Sequence, residues 1–433
     1  MVTTARRTKT TAIAIPGAFL WRLGFAATVA LILAIYALIV MRTSFLGADF
    51  ACWRAAAMLL AHGGNPYDPT QMWRLENTLY NHPGAPHYGL DRYYNPPLFA
   101  TMLVPLVGLP FAQGYAVYSV FVVACAVAGI WLLARALGWT RHRVLGVALV
   151  LASPAFFVTW WNGQQSTLLL CALGGALFAL RRGHPGLAGA LMALTWVKPH
   201  LLLPVALIAP LLLSDRRAII HWYVGLGAAT ALGVTLTLAT TGAGSIVMWV
   251  RTLVGYTGYV DAVQSFMPSL PGTGLIVLPR PWNRVGSTVL IAVGLGLMAL
   301  CLRRGRARVK ARLGLDGRWD DRLWIELSML VATWLLFTPF AHVNDDVLLA
   351  FPLAVVWSRS SRLGAAAVLL CRSALWAMIA LPLTFLLPWP LSLLGLVPPV
   401  LVFLSVFYVW TRPGRASVCP TTAHAPAASR ARA

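Results

Sequence analysis

The sequence predicts an all-α, polytopic membrane protein, and three observations carry that reading. Hydrophobic residues make up 59% of the 433 and charged residues 11%, with a mean hydropathy of +0.74, a balance that belongs to a bilayer rather than to water. Apolar runs of membrane length follow one another through most of the chain. Lysine and arginine are sorted onto alternate connections between those runs. The net charge of +22 invites a nucleic-acid reading. In a chain this apolar, Arg-rich connections instead set topology and meet anionic headgroups, so membrane lipids are expected as partners and nucleic acid is not. The six cysteines stand singly, four of them (Cys125, Cys171, Cys301, Cys371) inside apolar runs. That pattern points to neither a disulfide framework nor a zinc site.

In chain order, residues 1–19 form a cytoplasmic N-terminal segment, and the run 20–41 is too long for a signal-peptide core and reads as a retained first span. A polar outer loop follows over 42–111, then apolar runs at 112–134, 144–160, 166–180, 187–197, 201–213 and 219–240. A second long outer segment covers 241–284. The remaining runs are 285–302, 323–340, 347–357, 364–383 and 391–410. This gives about twelve transmembrane helices within a membrane domain of 20–410, some short enough to need tilt or partial burial. The segment 411–433 has no apolar periodicity and reads as a disordered cytoplasmic tail. With the N-terminus inside and 96–110 lying against the membrane, the cytoplasmic segments carry 24 Lys and Arg and the outer ones 8. Letting 96–110 cross would turn the Arg-rich connections RALGWTRHR, RRGHPG and SDRR outwards, against the positive-inside rule.

The chain is organised around the polar stretch 47–97, which holds seven charged residues among tryptophans and tyrosines. A connector of that length is more than topology requires. Residues 50–62 are mostly good helix formers and GGNPYDP (63–69) is a turn signal. Asp49 precedes that helical stretch. It suits a helix N-cap, and it equally suits a catalytic carboxylate held at the membrane surface. Tyr93-Tyr94-Asn95-Pro96-Pro97 ends the loop, with prolines placed for a helix start and tyrosines placed as interface anchors.

Three polar breaks fall at the same side as Asp49 in this topology. Gly163-Gln164-Gln165-Ser166 reads as a tight helical hairpin with glutamines capping helix ends. Lys198-Pro199-His200 puts a lysine where the charge bias disfavours one, which suits either snorkelling or an anion site. His342-Val343-Asn344-Asp345-Asp346 is the densest polar cluster after the first loop. No second carboxylate pair flanks it at a fixed spacing, so no metal is expected.

An Asp just after the first span, a GxNPYD turn, YxPP, a GQxxxLL hairpin, KPH between short helices and a late outer loop with His342 together resemble glycosyltransferase family 87. These are polyprenyl-phosphate-sugar-dependent mannosyltransferases and related arabinosyltransferases of the GT-C superfamily. The resemblance runs over 20–410, with one departure: the late loop of that family often carries a histidine pair, and here His342 is followed by Asn-Asp-Asp. It implies a GT-C-type fold with a first outer loop bearing juxtamembrane helices, and an inverting sugar transfer at the extracytoplasmic face of the cell membrane. The donor would be a polyprenyl-phosphate sugar, and the acceptor a glycolipid or glycan. Asp49 would be the general base. Lys198, His200 and His342 would hold the donor phosphate. Gln164, Asn344, Tyr93, Trp53, Asp91 and Arg92 would contact sugar or acceptor. A monophosphate leaving group requires no metal or other cofactor, and the outer loop has no DxD motif.

Two rivals stand beside the transferase. A transporter or flippase of a lipid-linked sugar suits many short, Gly/Pro-broken spans, but it should show repeated halves, and nothing in the second half matches 47–97. A lipid-linked glycan ligase or polymerase also uses outer loops with Arg and His. The early Asp and the NPYD turn favour the transferase.

Overall fold

The computed structural model describes residues 16–42, 46–80, 93–139, 143–255, 267–312, 321–381 and 391–411. Asp91 and Arg92 lie outside the described residues, as do nearly all of the N-terminal and C-terminal segments.

Among the described residues the secondary structure is helical throughout. Helix α1 (Pro16–Arg42) is followed by three helices of the polar loop: α2 (Ala48–Ala61), α3 (Pro69–Tyr80) and α4 (Pro97–Leu103). Then come α5 (Phe111–Ala136), α6 (Arg143–Leu151), α7 (Pro154–Asn162), α8 (Ser166–Arg181), α9 (Pro185–Met192) and α10 (Pro199–Ile208). The second half holds α11 (Arg216–Gly255), α12 (Leu270–Val277), α13 (Trp282–Arg312), α14 (Asp321–Phe337), α15 (Ala350–Leu363), α16 (Ala365–Ala380) and α17 (Val397–Thr411).

Four of these are long and apolar enough to cross a bilayer: Phe111–Ala136, Arg216–Val254, Trp282–Ala307 and Leu393–Thr411. A fifth crossing is available if α6 and α7, bent by 58°, count as one broken span. The bend falls at Ser153-Pro154, where the Ser153 side chain caps α7 and accepts from Phe156 N at 3.2 Å. The other expected crossings are shorter apolar helices, several extended by 3-10 turns, such as α9 with Ala193–Val197 and α10 with Ala209–Leu212. The segment Pro97–Leu106 spans ten residues, about 15 Å of rise against a core of about 30 Å, so it is too short to cross. Helix α11 continues past the expected end of its span and breaks at Gly242, where φ is 76° and ψ 167°.

Helix α14 is the central pillar. Its residues 323–337 are all buried, as expected of a helix that is apolar all round. Its one internal acid, Glu326, is 0% exposed and accepts from the Trp410 indole at 2.5 Å. Helices α5 and α8 pack backbone to backbone: a Cβ at Gly174 would stand 2.3 Å from the Gly129 carbonyl oxygen. Close approach of this kind is how helices associate where lipid removes the hydrophobic drive.

The described part of the polar loop folds onto this bundle as a layer with its own aromatic core. Phe50, Trp53, Tyr67, Tyr93, Phe99, Tyr115 and Tyr118 form one buried cluster. Tyr93, expected as an interface anchor, is buried and donates to Pro96 O at 2.9 Å, and Tyr67 of the turn motif is buried and donates to Asn95 O at 2.7 Å. Arg54 ties α2 to the end of the same loop by donating to the carbonyls of Val107 and Leu109 at 3.1 and 2.8 Å.

Candidate active site

The site is assembled around the turn Gly163-Gln164-Gln165-Ser166, from which three side chains reach three different parts of the chain. Helix α7 ends at Gly163 in the left-handed conformation (φ 79°) and α2 begins at Gly47 in the same conformation (φ 80°). The two ends are pressed together. A Cβ at Gly163 would lie 2.8 Å from the Phe50 Cβ, and one at Gly47 2.7 Å from the Tyr115 ring. Both positions therefore demand glycine twice over, by backbone conformation and by space. The Gly47 N–H donates to the Trp161 carbonyl at 2.7 Å, and the Tyr115 hydroxyl donates to the Trp160 carbonyl of the same turn.

Asp49 sits in the first turn of α2, two residues past the N-cap position, which Gly47 occupies. The expectation of an N-cap is corrected: a capping side chain must leave the helix from the non-helical residue, and Asp49 is already inside. Its charge still gains from the helix N-terminus. Gln164 Nε2 donates to Asp49 Oδ2 at 2.7 Å. Gln165, expected as a cap, is the residue preceding α8 but makes no side-chain cap bond, and reaches Asn95 at 2.8 Å. With its amide turned, Asn95 accepts from the Trp53 indole at 2.9 Å and donates to Val197 O at 3.2 Å. The NPYD and YNPP motifs thus meet physically. Asn65 Oδ1 accepts from Tyr67 N at 3.0 Å to form the turn, and Tyr67 then holds the Asn95 carbonyl. Asp68 caps α3 through Thr70 N at 2.8 Å, and that bond holds its carboxyl below the ordinary range.

Ser166 carries the turn into the second polar cluster. Its hydroxyl donates to Asp345 Oδ1 at 2.5 Å and accepts from Asn344 Nδ2 at 2.9 Å. Lys198 Nζ donates to the same Asp345 oxygen at 2.8 Å, and both side chains are buried. Asp345 Oδ2 accepts from the His342 backbone N–H at 2.9 Å. Burial alone would raise the Asp345 carboxyl; the Lys198 charge and the Lys198 and Ser166 hydrogen bonds outweigh it and hold the group below the usual carboxylate range. Burial pushes the His342 imidazole down to about 4, so it is neutral at pH 7. His200, at the start of α10, packs edge-on against Phe340, and its backbone carbonyl accepts from Trp334 and Thr338.

Of the residues singled out in the sequence, Asp49, Gln164, Lys198 and Asn344 are thus joined through one turn, with His342 and His200 beside them. Trp53 and Tyr93, at 5% and 1% exposed, pack in the aromatic core of the loop layer. Ser166, Asn95 and Asp345 are the residues that sequence reasoning left out of the site. The signal for them was adjacency: each stands next to, or two positions from, a residue already singled out. Among the described residues no three His, Cys, Asp or Glu side chains gather as a metal site requires.

A carboxylate at a helix start, a lysine and two histidines around one polar turn can take a proton at one side and hold an anion at the other. The family model for glycosyltransferase family 87 matches residues 93–316, just over half of the chain. The match takes in Tyr93, Gln164, Lys198 and His200; Asp49 and Trp53 precede it and His342 and Asn344 follow it. No curated relative and no solved structure matches the chain. The helical membrane architecture and the family match agree, and the chain belongs to glycosyltransferase family 87, as a membrane-embedded glycosyltransferase.

Proposed function

We propose that this glycosyltransferase moves a sugar, mannose in the first instance, from a polyprenyl-phosphate donor to a lipid-linked or glycan acceptor at the extracytoplasmic face of the cell membrane. Asp49 takes the proton of the acceptor hydroxyl as its oxygen attacks the anomeric carbon. The bond from that carbon to the phosphate oxygen breaks on the opposite side, and the configuration inverts. The polyprenyl phosphate leaves with the bonding electron pair, and Lys198, His200 and His342 stabilise the charge that develops on it. Gln164 and Asn344 orient sugar hydroxyls.

The observation that carries the reading is that two residues of one turn join base and cation: Gln164 holds Asp49, and Ser166 holds the Asp345 partner of Lys198. The test is to incubate membranes bearing the protein with radiolabelled polyprenyl-phosphate-mannose and extracted lipids. Label should move to a lipid or glycan product, and Asp49→Asn should abolish the transfer. Transfer that proceeds from a nucleotide sugar and not from the prenyl donor would sink the proposal.

The face is tested separately. Cysteine at position 73, where the native Trp73 is exposed, should react with an impermeant maleimide in intact cells. Cysteine at position 306, in place of exposed Arg306, should not. The reverse pattern would put the site in the cytoplasm.

A further inference from the structure

Asp345 occupies a complete anion site. Its carboxylate receives an ammonium from Lys198, a hydroxyl from Ser166, an amide from Asn344 and a backbone N–H from His342, at 2.5–2.9 Å. It is 1% exposed. These donors come from three separate parts of the chain: the start of α8, the residue before α10 and the turn after α14. An ammonium, a hydroxyl and a backbone N–H are also the groups that bind a phosphate monoester. The occupant is the protein's own side chain. A phosphate cannot take Lys198 while Asp345 keeps all four donors.

We infer that Asp345 is a placeholder for the donor phosphate: it fills the anion site of the empty enzyme and yields Lys198 when the prenyl phosphate arrives. The inference rests on reading this cluster as the phosphate site. Lys198 is nearly enclosed, and without a counter-charge its ammonium would be held at high cost in so dry a place. Asp345 supplies that charge when no ligand is bound and so keeps the ammonium aimed. The phosphate then takes over the same donors. When the product leaves, Asp345 closes back on Lys198 and competes against rebinding of the prenyl phosphate. No covalent bond changes in this exchange. Asp345 acts through Lys198 and is a positioning residue. The 3-10 helix Val343–Leu349 that carries it has poorer hydrogen-bond geometry than an α-helix.

The experiment uses the full-length protein in lipid nanodiscs with farnesyl phosphate as probe, read by thermal-shift titration. Asp345→Asn removes the competitor and leaves Lys198 in need of an anion, so farnesyl phosphate should bind roughly tenfold more tightly than to the unaltered protein, within the usual range of coupling between ligands. In transfer assays the donor KM should fall with no matching rise in kcat, because product release is slowed as well. Lys198→Ala should bind the probe weakly, and the double variant should bind it as weakly as Lys198→Ala alone.

A folded Asp345→Asn variant with unchanged or weaker affinity overturns the placeholder role while leaving the phosphate site standing. Equal affinity in Lys198→Ala and the unaltered protein overturns the phosphate site itself, and the placeholder with it. If the Asn variant does not fold, Asp345→Ala prepared in formate gives the same comparison. Formate should fill the vacated site and compete with farnesyl phosphate; additive binding of the two would overturn the inference.

Discussion

Two carboxylates reach the same turn and are held in opposite ways. Asp49 is half-buried, stands at a helix start and takes a neutral amide hydrogen bond from Gln164. Asp345 is enclosed and takes a lysine ammonium with three further donors. A group that must accept a proton cannot be tied to a cation, because the cation stabilises the charged form and holds it below the ordinary carboxylate range. A group that must keep a lysine charged cannot be left to water. In the proposed mechanism the difference divides the labour of the site: Asp49 would serve proton transfer and Asp345 charge balance.

The largest test of that division is Asp49→Asn. Transfer should fall by about 10²–10⁴-fold, the usual contribution of a general base. Because Asn keeps the size of Asp and a side-chain oxygen, unfolding in detergent should move by only a few tenths of a kcal/mol, the range of a charge at a helix end. Asp49→Ala should match it in rate and lose about 1 kcal/mol more stability with the Gln164 hydrogen bond. An Asn variant that retains near-normal turnover would move the base elsewhere.

Lys198→Ala comes next, and there stability should fall as well as rate. It strands Asp345 in the interior, at a cost of about 3–5 kcal/mol, whereas the double variant with Asp345→Asn should recover much of that loss. Denaturation midpoints of the three proteins check it, and equal midpoints would mean that the pair is solvated. Gln164→Ala should have the smallest effect. Loss of one hydrogen bond to Asp49 is worth about 1 kcal/mol or a little more, hence roughly a tenfold change in kcat with folding intact. A loss as large as that of Asp49→Asn would make Gln164 part of the chemistry.

The helices of the bundle were legible because membrane spans announce themselves by unbroken apolar length, as in α5 and α13. Where length fails, so does the count. The break at Ser153-Pro154 and the 3-10 ends of α9 and α10 turn expected spans into bent or short pieces. The helical nature of α2 and the turn at GGNPYDP could also be read, since their signals are local. The burial of Trp53 and Tyr93 could not: an aromatic in a polar loop suits an interface and a core equally, and only the tertiary partners Asn95, Phe99 and Tyr118 decide. The site residues were legible as types and as neighbours in topology. Their pairing was not, because Lys198 and Asp345 are separated by 147 positions and nothing local in either segment names the other.

Glu326 and Trp410 introduce a matter of timing. The acid is made 84 residues before the indole that bonds it. At ordinary synthesis rates of about 5–20 residues per second, α14 exists for roughly 4–17 s before its indole partner has been made. Helix α14 is therefore joined late by α17, whose Trp410 supplies a hydrogen bond to its buried acid Glu326.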